Sequence, residues 1–166
     1  MPYAAQAVEH RQIKVDGTLL SVLLGGDATA GQVSVIRARA PAGFATTVHV
    51  HSRDDEMYVL LEGGGIFWAG QNKYQLSAGG VALLPRNVPH ALWITAPSDM
   101  LAICTPAGIE RFFEAIGRVP SQPKPEGWAA SPEITATAME ESGQRLLGSP
   151  LAEHDLMPAA YLNPKM

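Results

Sequence analysis

His49 and His51 stand two residues apart, and this spacing restricts the fold more than any other feature of the chain. Side chains one residue removed point to opposite faces of an extended strand, so His49 and His51 share a face if Val48 to His51 run as a strand. Glu56 follows after four intervening residues, enough for the chain to reverse and return alongside the histidines. His90 has to come from a neighbouring strand, just after the rigid turn that Pro85 and Pro89 impose. Glycines bracket the set: five residues separate Gly43 from His49, six separate Glu56 from Gly63, and five separate Gly79 from Pro85. Three neutral imidazoles and a carboxylate suit one divalent transition metal with coordination positions left open. Iron, nickel, manganese, cobalt, copper and zinc all accept this ligand set, which consists of His49, His51, Glu56 and His90.

Short apolar or alternating runs fill the first two thirds of the chain. Strands are expected over Gln12–Val15, Leu19–Leu24, Val33–Ala40, Val48–His51, Glu56–Leu61, Ile66–Ala69, Tyr74–Leu76, Val81–Leu84, Ala91–Thr95 and Met100–Cys104. Turn-forming pieces such as Gly25-Gly26-Asp27, Gly63-Gly64-Gly65, Gly70-Gln71-Asn72 and Pro97-Ser98-Asp99 separate them. Regularly spaced short strands of this kind favour an all-β sandwich or closed barrel. The period then changes. Ile109, Phe112, Phe113 and Ile116 fall on one helix face that ends at Gly117. Ser121 to Gly127 reads as an extended linker, Pro132 to Leu147 as a second helix capped by Ser131, and Pro150 onward as a loosely held tail. The expected division is a barrel over residues 1–106 and a helical extension with its tail over 107–166.

The two bracketed segments resemble the paired motifs of the cupin superfamily, from about Gly43 to Ile94. Every ligand position of the first motif is filled. In the second, Asn87 stands where a glycine is usual, Gly80 where an aspartate is common and Ile94 where an asparagine is frequent. The resemblance implies a double-stranded β-helix barrel, or jelly roll, with a small C-terminal helical extension, and commonly a homodimer. The barrel followed by a Gly-Ile-Glu-Arg-Phe-Phe helix is similar to the single-domain quercetin 2,3-dioxygenase-like group, in which such a site carries a divalent metal and opens aromatic substrates with dioxygen. That likeness points to a dioxygenase with Glu56 as ligand and general base. The same scaffold also hosts isomerases, lyases, cyclases and non-catalytic binders of small molecules.

Alternation describes the surroundings of the site. With Glu56 inward, Tyr58 and Leu60 share its face; with His90 inward, so do Leu92 and Ile94. The cupin pattern also turns Phe67 inward, with Gly65 leaving room. Tyr58, Phe67, Leu92 and Ile94 are therefore the expected substrate contacts, and a small apolar or aromatic substrate the expected ligand. Met57, Val59, Leu61 and Trp68 face out and need a cover, either the Phe112/Phe113 helix or a second subunit. Arg37 and Arg39 are expected to be solvated rather than to enter the cavity. Asp54 and Asp55 are assigned to the turn, and Glu62 to the far end of its strand, so that Glu56 is the carboxylate at the metal.

Composition excludes other partners. A formal net charge of −4 without a lysine-arginine cluster argues against nucleic acid and anionic membranes. No apolar run is long enough to span a bilayer, and the opening residues lack a secretory pattern, so a cytoplasmic location is expected. Cys104 is the single cysteine, in a buried strand, and is expected to serve as a small hydrophobe.

Overall fold

The two longest strands of the fold each join two segments that the sequence pattern separates. In the computed structural model, which describes residues 4, 11–119, 124–125 and 128–163, β5 runs unbroken from Asp55 to Ala69 and β8 from His90 to Thr105. They pair with each other along nearly their whole length, Asp55 opposite Thr105 at one end and Ala69 opposite His90 at the other. Gly63 explains why the glycine run bends β5 without ending it. Its φ is +81°, the left-handed region open to glycine, and a Cβ there would collide with the Pro97 carbonyl oxygen. The register shifts around Glu62 and Gly64 absorb the bend as bulges. Pro97-Ser98-Asp99 is accordingly part of β8 and not a turn.

The remaining strands are β1 (Arg11–Val15), β2 (Thr18–Leu24), β3 (Ser34–Ala40), β4 (Thr47–His51), β6 (Asn72–Ser77), β7 (Val81–Leu84) and β9 (Gln144–Pro150), with a short helix α1 at Gly26–Thr29. The described residues form one curled antiparallel sheet of nine strands, ordered β1-β2-β3-β8-β4-β9, with β5 joining β6, β7 and β8. Its inner face is closed by Leu20, Ile36, Leu60, Phe67, Ile94 and Met100, all buried. This is the expected all-β barrel.

The C-terminal extension departs from expectation in three ways. Helix α2 (Ile109–Ile116) lays Ile109, Phe112 and Phe113 against the inner core at the barrel mouth, and does not cover the outer face. Helix α3 starts as expected, with the Ser131 hydroxyl accepting from the Ile134 N–H at 3.3 Å, but it stops at Ser142. Gly143 adopts φ +74° and caps it, and the residues expected to prolong the helix instead pair as β9 with the free edge of β4. The tail beyond Pro150 is held. Leu151 and Met157 pack over Trp68, which is fully buried and donates its Nε1–H to the Asp155 carbonyl at 3.0 Å. The cover over Trp68 is therefore this chain's own tail. Leu61, Val81 and Leu83 remain exposed on the β5–β7 outer face, beside half-buried Met57 and Val59. Arg37 lies on the outer surface and binds Asp99, its Nε 2.8 Å from Oδ1, and neither Arg37 nor Arg39 enters the cavity described below. Among the described residues no helix is long and apolar enough to cross a membrane. The opening residues and part of the expected linker, 121–123 and 126–127, lie outside the described set.

Candidate metal centre

Strands β4, β5 and β8 bring four side chains to one point. His49 and His51 project from β4, His90 opens β8 directly opposite His49, and Glu56 enters from β5 between Leu84 and Cys104 of its neighbours. The imidazole centroids are 5.1 Å apart for His49 and His51, 4.4 Å for His49 and His90, and 4.8 Å for His51 and His90. One ligating atom from each of the four lies within 4.8 Å of all the others.

Each ring is oriented by its far nitrogen. Nδ1 of His49 is 2.7 Å from the Thr47 carbonyl, Nδ1 of His90 is 2.9 Å from the Val88 carbonyl, and Nδ1 of His51 is 2.8 Å from Oδ2 of Asp54. Oxygen acceptors at these three positions place the proton on Nδ1 and leave the Nε2 lone pairs facing the common centre. Nε2 of His51 and of His90 is buried without a hydrogen-bond partner. A buried acceptor left unpaired is unfavourable, and a cation at the centre would satisfy both. The donor set thus fits a divalent transition metal.

Burial dominates the proton affinities. It pushes Glu56 above the ordinary carboxylate value, against the favourable charge of His51 and a hydrogen bond from Tyr58. It pushes His49 down to about 4 and His90 well below the ordinary imidazole value, with neighbouring histidines adding to both shifts. At His51 burial also opposes the charged form, but the bond to Asp54 and the charges of Glu56 and Asp54 outweigh it, so its pKa is raised. Burial likewise raises the Tyr58 hydroxyl and the Cys104 thiol, whose Sγ lies 3.9 Å from Oε1 of Glu56. The Cys104 thiol is inert at neutral pH.

The four side chains face a cavity of about 270 Å³. Tyr58 and Leu92 line it as expected, with Phe44, Thr46 and Leu84. Phe67 and Ile94 do not; they are fully buried behind the wall, Phe67 with its ring centroid 5.5 Å from that of Tyr58. The rest of the lining comes from the extension: Ile109, Phe112, Phe113 and Ile116 of α2 and Thr135 and Met139 of α3, while Gln144 and Leu146 of β9 sit on the same sheet as the histidines, directly beside His51 and His49. Among the described residues no lysine or arginine lines it. A larger cleft of about 580 Å³ runs beside α1 and α2, but it contains none of the histidines, so chemistry and not size selects the site. Sequence reasoning missed Asp54, although His51 and Asp54 at i and i+3 across a tight reversal are a legible pair, and it missed the α2–β9 wall.

Residues 36–106 match the cupin domain family, Cupin_2. The barrel has the cupin fold, and the family match covers residues 36–106, less than half of the chain. Solved structures with the same fold include KdgF from Halomonas sp. (18% identity, 60% of this chain and 90% of that one, TM-score 0.54). A second is the nucleoside dehydratase Pac13 of Streptomyces (19%, 66% and 87%, TM-score 0.55). A third is an RmlC-like cupin from Shewanella frigidimarina (15%, 66% and 96%, TM-score 0.58). At these identities the likeness concerns the fold alone. An uncharacterised protein of Methanocaldococcus jannaschii is 30% identical over 81 residues, a match covering 48% of this chain and 65%, just under two thirds, of that relative. The cupin match ends at Pro106, so the α2–β9 wall of the cavity lies outside it.

Proposed function

We propose that this cupin is a metal-dependent enzyme, and specifically a dioxygenase of the quercetinase-like kind that acts on a small aromatic or enolic substrate. One observation carries the reading: an open three-histidine, one-glutamate cluster faces an aromatic-lined cavity without lysine or arginine among its described residues. His49, His51, Glu56 and His90 would hold one divalent ion, which when bound supplies a Lewis acid for an enol or phenol oxygen. Glu56 takes the proton from that oxygen, and burial favours its doing so, since its proton affinity is raised. Tyr58 steadies the Glu56 carboxylate by hydrogen bonding. Phe44, Phe112 and Phe113 hold a flat ring and exclude water from it. The cavity, about 270 Å³, is at the small end for ligand sites and favours a compact substrate.

The test is anaerobic purification with elemental analysis, followed by oxygen uptake against a panel of flavonols and hydroxylated aromatics. Uptake matched to substrate loss supports the dioxygenase. Conversion without oxygen uptake rejects it and leaves the second reading, a redox-neutral isomerase, lyase or cyclase. That reading needs only Glu56 as a base of raised proton affinity beside Tyr58, and Pac13, which shares the fold, is a dehydratase. A non-catalytic binder would turn over nothing.

The apolar outer face of Leu61, Val81 and Leu83, flanked by Met57 and Val59, is proposed to join two copies of the chain. Light scattering at micromolar concentration should give the mass of a dimer, and a monomer mass rejects the proposal.

A further inference from the structure

A second, smaller space of about 60 Å³ lies deeper in the barrel, behind the metal-facing cavity. Val15, Phe44, Thr46, Tyr58, Leu92 and Phe113 line both spaces and form the neck between them. Beyond the neck the walls are Leu20, Ile36, Ala38, Met100 and Ala102, with Thr18. Three hydroxyl-bearing residues line this lobe. Thr46 Oγ1 accepts from the Leu92 N–H at 3.0 Å, and Tyr58 interacts electrostatically with Glu56. Thr18 differs: it is 3% exposed, and its Oγ1 is buried with no hydrogen-bond partner.

An unpaired hydroxyl in an apolar recess is unfavourable, and valine would fill the same shape without it. We infer that the lobe is a substituent pocket of the active site, in which the Thr18 hydroxyl pairs with a polar atom at the end of a short side arm of the substrate. The inference rests on the enolic or phenolic reading proposed above. It deepens that reading by specifying the ligand: a planar oxygen chelator whose head meets the metal-facing histidines, whose ring lies in the neck against Phe44, Tyr58 and Phe113, and whose arm enters the lobe. A space of about 60 Å³ is on the order of two waters' share of liquid volume, enough for an arm of about two or three heavy atoms such as a hydroxymethyl or acetyl group. The arm is uncharged, because among the described residues no charged side chain of either sign lines the lobe.

The test uses two hydroxypyranone chelators, kojic acid and allomaltol, which differ by one hydroxyl on a single-carbon arm. Their affinities for the metal-loaded protein are measured by calorimetry. Wild type is expected to prefer kojic acid by about five- to ten-fold, the range for one net hydrogen bond. Thr18→Val should abolish the preference while leaving allomaltol binding and metal content unchanged, and Thr18→Ser should retain it. Equal affinity of the two probes for wild type, or a preference that survives Thr18→Val, overturns the inference alone. Failure of both probes to bind a protein that retains its metal overturns the enolic reading and the inference with it.

Discussion

The β4–β5–β8 wall and the C-terminal extension line the same cavity, and they are built on different physics. On the barrel wall every side chain at the centre is polar, and each imidazole is oriented by a second partner: Thr47 for His49, Val88 for His90 and Asp54 for His51. The extension contributes chiefly apolar shape, with Phe112, Phe113 and Met139 from its helices and Leu146 from β9 beside His49. Chemistry and fit are therefore carried by different segments, and substitutions should separate them.

The largest separation is expected at His90. His90→Ala removes a ligand whose ring is locked at the centre, and should strip or sharply weaken metal binding while circular dichroism still reports a folded barrel. Undiminished metal by elemental analysis would break the comparison at its root. Glu56→Gln keeps shape and an oxygen while removing charge and base. Much of the metal should stay on the three histidines, and turnover should fall by about two to four orders of magnitude. A metal-loaded variant with near wild-type turnover would transfer proton removal to Tyr58 or solvent.

Asp54→Asn probes the orientation of His51 without touching the centre. Metal affinity, read by competition with a chromophoric chelator, should weaken by about 10- to 100-fold, as for other outer partners of ligating histidines. In the extension, Phe112→Ala should raise KM by up to about ten-fold, the upper end for an aromatic contact, with metal affinity unchanged. Metal loss in that variant would mean that the extension supports the ligands as well as the substrate.

The smallest effect concerns pH in the metal-free protein. His49 titrates near 6.5 when unfolded and about 4 when folded, so its contribution to stability is complete above 6.5 and is lost as the pH falls from 6.5 toward 4. His90 acts in the same direction, while His51 and Glu56, whose proton affinities are raised, act against it, so the His49 contribution is isolated by comparison with His49→Asn in the metal-free protein. The Tm of wild type should decline more steeply than that of the variant between pH 6.5 and 4, and parallel pH profiles would contradict a neutral His49.

The strand-borne part of the site was legible because period-two alternation and glycine spacing are local. His49, His51 and the Glu56, Tyr58, Leu60 series follow from counting residues, and the barrel class follows from the spacing of strands and turns. Local reading failed where the partner was distant. Nothing in the residues around Gln144 announces a strand: Gln144 to Pro150 form one only because β4 offers a free edge, and Gly143 ends the helix that propensity would have continued. Trp68 reads as an exposed residue until Leu151 and Met157 are folded over it. Phe67 and Ile94 share the inward face, but which inward residues line a cavity and which sit behind it depends on curvature and on the bulk of neighbouring rings.

By itself, then, the sequence determined the histidine–glutamate cluster, the barrel and the amphipathic face of α2, because each is written in the separation of nearby residues. Tertiary structure alone decided what α2 faces, that β9 extends the sheet, and that the Thr18 hydroxyl is left unpaired in an inner lobe. Those outcomes depend on which surfaces meet after long loops close, and contacts of that kind leave no periodic trace in the chain.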